Sequence, residues 1–124
     1  MSEYTFEVPL PPSVNRYWRV WNNRVVVTEE AKNYKKEVFY KLNHLEPLRG
    51  DIIINFTVFR KIRRGDLDNF MKVMLDAFSG VIYLDDSQII EIHAFREDDA
   101  SNPRVHVYVY EREASDTAKA RLGV

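Results

Sequence analysis

Residues 3–8 (EYTFEV) alternate Tyr4, Phe6 and Val8 with polar neighbours, the two-residue period of a half-buried strand. PLPPS then interrupts regular structure. In NRYWRVWNNRVVVT two β-rich runs flank Asn22-Asn23, and asparagine tolerates the positive φ of a tight hairpin turn. Thr28 is placed to cap a helix starting at Glu29-Glu30, whose charges suit the helix dipole. Ala31, Tyr34, Val38, Leu42 and Leu45 recur at steps of three and four, and Lys32, Lys35, Lys36 and Lys41 fill the other faces. Pro47 and Gly50 should end that helix. DIIINFTVFR (51–60) reads as a strand, residues 68–79 as a second helix closed by Gly80, and VIYL as a short strand or extended segment. SQIIEIHAFRE and RVHVYVYER read as two more strands, with Val105, Val107 and Val109 on one side and His106, Tyr108 and Tyr110 on the other. The order is β(ββ)αβαββ. It predicts an α+β fold: a single domain with a mixed β-sheet and two main α-helices. The domain should span 1–113, with 114–124 a frayed tail or short terminal helix.

Composition narrows the class. A chain of 124 residues is near the common size of one domain. It has no apolar run of about 18 residues, so no membrane span is expected. The N-terminus carries acidic residues and no basic n-region, so a cytoplasmic location fits better than secretion. Zero cysteines exclude disulfides, thiolate metal sites and a cysteine nucleophile. The net charge of −1 conceals a divided chain. Residues 16–64 hold 12 Lys/Arg against 5 Asp/Glu, and residues 65–116 hold 4 against 12. Such a division can steer a polyanion to one face, or the two halves can simply pair across the fold.

The sign changes at Gly65, inside RKIRRGDLDNFMK. Arg60, Lys61, Arg63 and Arg64 crowd into five positions, followed at once by Asp66 and Asp68. Two readings remain: a set of ion pairs, or cations that seat a polyanion beside carboxylates that hold a metal. Asp66 and Asp68 stand at a strand-to-helix transition, where both carboxylates can converge; Asp68 alone is equally a helix N-cap. Asp85-Asp86 form a second acidic pair, which alone is equally a turn. Hard oxygen donors suit magnesium or manganese, and the two clusters meeting at a sheet edge would make such a site. Lys72 lies one helical turn after Asp68, within reach of a phosphate, or is a solvated lysine paired with Asp76. An EF-hand is excluded because Phe70 stands where an oxygen ligand is needed. His44, His93 and His106 lack ligand spacing and read as structural.

PPSVNRYWR (11–19), RRGDLDNFMKVMLDAF (63–78) and YLDDSQI (83–89) together resemble the RusA-type Holliday-junction resolvase family, in order and approximate spacing over residues 4–112. The resemblance implies a magnesium-dependent endodeoxyribonuclease that resolves four-way DNA junctions by paired symmetric nicks in recombination and repair. It further implies a homodimer, with Mn²⁺ able to replace Mg²⁺ and no small-molecule cofactor. Catalytic roles then fall on Asp66, Asp68, Asp86 and Lys72, with Asp85 a helper at the metal. Arg60, Lys61, Arg63 and Arg64 become DNA contacts, as do Asn15 and Arg16 of the N-R-Y signature. One place departs from the pattern: Gly65 precedes DLDN where an arginine can stand in the family. Two rivals share these residues: a structure-selective metal nuclease acting on forks or flaps, and a catalytically silent module that binds DNA structures.

Overall fold

The computed structural model describes residues 2–12, 18–60 and 67–112, and only the backbone within 18–21, 24–26 and 67–70. The proposed tail, 114–124, lies outside the described residues. A first strand, β1 (Glu3–Val8), precedes a hairpin of β2 (Trp18–Trp21) and β3 (Arg24–Val27). Asn22 and Asn23 have φ of 51° and 62°, the pair of positive angles that a type I′ turn requires. The Thr28 hydroxyl accepts from the Ala31 N–H at 3.3 Å and starts α1 (Glu29–Leu42), which buries Ala31, Tyr34, Val38 and Leu42. The periodicity overran by one step. Asn43 ends the helix, its N–H bonded to the Phe39 carbonyl, and Leu45 reaches the core from a turn.

β4 (Ile52–Arg60), α2 (Leu67–Phe78), β5 (Ile89–Asp98) and β6 (Arg104–Glu111) follow. The main sheet has the order β1-β6-β4-β5. β4 pairs antiparallel with β6 and parallel with β5, so the sheet is mixed. A parallel neighbour needs a crossover, and α2 lies in it. Ile54, Phe56 and Val58 of β4 share a buried face with Val105, Val107 and Val109 of β6. Val73, Met74 and Phe78 of α2 join the same core, and Phe6 meets the Phe78 ring edge-on at 5.5 Å. Among the described residues, no helix is long and apolar enough to cross a membrane.

VIYL is not a strand. Residues 80–82 form a turn and Tyr83 makes only isolated bridges, to Leu48 and Ser79. Gly80 sits at φ 82°, and its N–H bonds the Tyr83 carbonyl at 2.7 Å. Nothing lies within 4 Å of where its Cβ would stand, so conformation and not crowding selects glycine there. The turn drives Ile82 and Tyr83 fully into the core at the entry to β4.

Candidate active site

Asp85 and Asp86 are exposed and stand directly before β5. Their position is fixed by Gln88, one residue after Ser87. The Gln88 side-chain oxygen accepts from the Leu84 and Asp85 N–H groups at 2.7 and 2.8 Å. Its amide donates to the Leu48 and Gly50 carbonyls at 2.8 and 2.9 Å. The Asp85 carboxylate accepts from the Ser87 N–H at 3.0 Å, completing a capping box around a single 3₁₀ turn, Asp86–Gln88. Hydrogen bonds from Ser87 hold the Asp85 carboxyl below its usual range, so it is anionic at neutral pH. Asp85 is thus a cap, as a lone pair of aspartates would suggest, and it also steadies the exposed Asp86 beside it. Gln88 had no role in the sequence reading, although D-x-x-Q is the pattern of a capping box. Gln88→Ala is expected to lower stability by about 1–3 kcal/mol in a denaturant melt, because two carbonyls and two N–H groups lose their partner.

The buried Tyr83 hydroxyl donates to the Leu75 carbonyl of α2 at 2.7 Å. Burial is the main cause that pushes its pKa up, and the negative charges of Asp86, Asp76 and Asp85 push it further. The Tyr83 hydroxyl thus feels all three of these charges. Lys72 is exposed and lies 3.9 Å from Asp76, the pairing expected one turn along a helix. Asp68 is the second residue of α2, about 12 Å of helix before Asp76, and its side chain lies outside the described residues. Asp66 lies outside them too. Gln88 ties Asp85-Asp86 to the chain just before β4, whereas DLDN comes after that strand in sequence.

Arg60 departs from the expected DNA contact. Its side chain is only 10% exposed, and Nη2 donates to Asp98 at 3.0 Å, tying the end of β4 to the end of β5. For this one cation the ion-pair reading holds. Lys61, Arg63, Arg64, Asn15 and Arg16 lie outside the described residues. The histidines are on strands or turns: His93 pairs with Glu91 at 2.9 Å and His106 with Glu7 at 3.6 Å.

Comparison with known proteins decides the family. The family model described as "Endodeoxyribonuclease RusA" matches residues 9–110. The chain belongs to the RusA family. A RusA relative from Enterobacteria phage HK97, named crossover junction endodeoxyribonuclease, is 30% identical over 122 residues, covering 92% of this chain and 99% of the relative. The RusA protein of Escherichia coli strain K12, of the same name, is 32% identical over 99 residues, covering 73% and 80%. That of Enterobacteria phage 82 is 30% identical over 102 residues, with the same coverage. RusA membership places the chain among endodeoxyribonucleases.

A divalent cation suits the donors at this edge of the RusA fold. They are carboxylates, hard oxygen ligands, and their joint field on Tyr83 marks a region of negative potential. Among the described residues, however, no three acidic or histidine side chains converge on one point.

Proposed function

We propose that this RusA-family chain is a magnesium-dependent nuclease that resolves four-way DNA junctions by paired nicks, in recombination and repair in the cytoplasm. One observation carries the reading: the family match spans residues 9–110, a range that contains Asp66, Asp68, Lys72, Asp85 and Asp86. The names of the relatives support the junction as substrate. A junction has two-fold symmetry and is cut on two opposed strands, so a two-fold homodimer is the matching assembly.

Topology suggests how that dimer builds its sites. β5 is an edge strand of ten residues whose outer side is unpaired within the sheet order. Exposed Ile90, Ile92 and Phe95 line it, with exposed Leu84 just before it. A long apolar edge is a template for another strand. Two β5 strands pairing antiparallel across a two-fold axis set the start of one against the end of the other. Since β4 and β5 are parallel, the end of the partner's β5 adjoins the end of its β4, where the basic run and DLDN follow. Asp85 and Asp86 of one copy then face Asp66 and Asp68 of the other.

In this assembly Asp66, Asp68 and Asp86 would hold Mg²⁺, or Mn²⁺ in its place, with Asp85 beside them. The ion when bound acts as a Lewis acid and makes water a nucleophile at neutral pH. Lys72, on the exposed face of α2, offsets charge gathering on the phosphoryl group. Lys61, Arg63, Arg64, Asn15 and Arg16 seat the phosphate backbone, while Arg60 braces the strand that carries them.

Purified protein is expected to cut a mobile four-way junction with Mg²⁺, to leave products ending in 5′-phosphate, and to stop completely when EDTA removes the metal. Preferential cutting of forks or flaps would replace the junction with another branched substrate. Binding without cutting in either Mg²⁺ or Mn²⁺ would leave only a DNA-structure-binding module.

A further inference from the structure

A groove of about 390 Å³ runs between α1 and the end of α2. Lys35, Lys36, Phe39 and Tyr40 form its α1 wall, and Asp76 and Val81 stand opposite. Phe39 is 48% exposed and Tyr40 76%, their rings 5.9 Å apart and nearly perpendicular. Neither ring serves the core, which α1 meets through Ala31, Tyr34, Val38 and Leu42. Lys35 precedes Phe39 by one turn and Lys36 precedes Tyr40 by one turn, so each lysine shares a helix face with a ring. Lys32 lies on the same flank of α1, paired with Glu29 at 3.7 Å.

We infer that this groove binds an unpaired DNA strand at the open centre of the junction, a deepening that rests on the function proposed above. Aromatic faces accept any base released from pairing, and cations one turn away receive its phosphates. Charge favours this occupant over a second protein copy, since the same lysines would meet across a symmetric interface. Position favours it too. Asp76 lines the groove and also belongs, with Asp85 and Asp86, to the group of carboxylates around Tyr83. A strand lying in the groove therefore leads to the cutting edge. Duplex DNA, with its bases stacked inside, has nothing to offer the two rings.

Fluorescence anisotropy in EDTA, where nothing is cut, tests this with a labelled four-way junction, a single strand and a linear duplex. Phe39→Ala/Tyr40→Ala is expected to weaken junction and single-strand binding roughly tenfold and to spare duplex binding. Tyr40→Trp should keep wild-type affinity. Lys35→Gln/Lys36→Gln should weaken all three and flatten the slope of log K against log salt by about one to two. Phe39, Tyr40 and Lys36 are exposed and Lys35 is half-buried, so a thermal melt should stay close to wild type. An aromatic double variant that binds the junction normally, while the wild type cuts it, overturns the groove and leaves the junction reading intact. Loss of binding that coincides with a fall in mass by light scattering also overturns it, making the groove an interface between copies. A wild type that binds none of the three DNAs overturns both.

Discussion

Mixing Asp68→Asn chains with Asp86→Asn chains is expected to restore junction nicking that neither variant performs alone. Each single variant loses one charged group of the proposed metal site, and cutting should fall by about a thousandfold or more, as removal of a group acting within a catalytic unit does. The mixture separates two architectures. If each site lies within one chain, a mixed dimer holds one site lacking Asp68 and one lacking Asp86, and both are dead. If each site spans two chains, the same dimer holds one site missing both residues and one with neither changed. Random exchange then leaves about a quarter of all sites intact. The expected product is a junction nicked on one strand, resolved on denaturing gels. Mixtures that stay inactive after verified subunit exchange would sink the shared site and return the search to a single-chain arrangement. The reason to expect rescue is geometric. Gln88 ties Asp85 and Asp86 to the entry of β4, and Asp68 starts a helix whose far end carries Asp76 in the same neighbourhood.

That geometry shows where the sequence was legible. Features set by local chemistry could be read directly: the Asn22-Asn23 turn, the Thr28 cap, the first helix start and the stop at Gly80. So could the side of β6 that faces the core, because a period of two has only two phases. Errors arose where nonlocal packing chose between local options. Leu45 continues the helical spacing, yet it reaches the core better from a turn than from a further helical turn. VIYL has strand composition, but Ile82 and Tyr83 are buried between α2 and β5, and among the described residues Tyr83 makes only isolated bridges. Sheet order was not legible at all. Nothing in SQIIEIHAFRE says that it pairs parallel with β4 and leaves its other side open. For the site, the acidic residues and Lys72 stand out by type, spacing and resemblance, and they fall within the range of the family match. Spacing along the chain does not say whether the two acidic clusters meet in one copy or across two. Arg60 was misread for a similar reason: its partner Asp98 is 38 residues away and becomes a neighbour only through the β4–β5 pairing.

Ile92→Lys/Phe95→Lys is expected to split the dimer and abolish paired cutting while leaving the chain folded. Ile92 is 38% exposed and Phe95 57%, so neither anchors the core and the cost within one copy should be small. Across a β5–β5 interface the consequences are larger. At the joined edge Ile92 lies on the face shared with Ile54 and Phe95 on the other, and a two-fold axis duplicates every substitution, so two ammonium groups enter the seam on each face. Desolvating or opposing that charge costs several kcal/mol, enough to shift a dimer constant by about a thousandfold. Lysine on an edge strand is also the device by which natural sheets prevent such pairing. Light scattering should report the mass of one chain, and circular dichroism a melt close to wild type. Junction cutting should disappear because the carboxylates no longer share a site. A double variant that remains dimeric and cuts normally places the interface elsewhere. One that becomes monomeric and still nicks shows that the metal ligands lie within a single chain, and the mixing experiment must then fail as well. Residual weak binding of the monomer to DNA is expected through Lys61, Arg63 and Arg64. That binding should fall with salt along a shallower line than the dimer's, because one copy displaces fewer counterions than two.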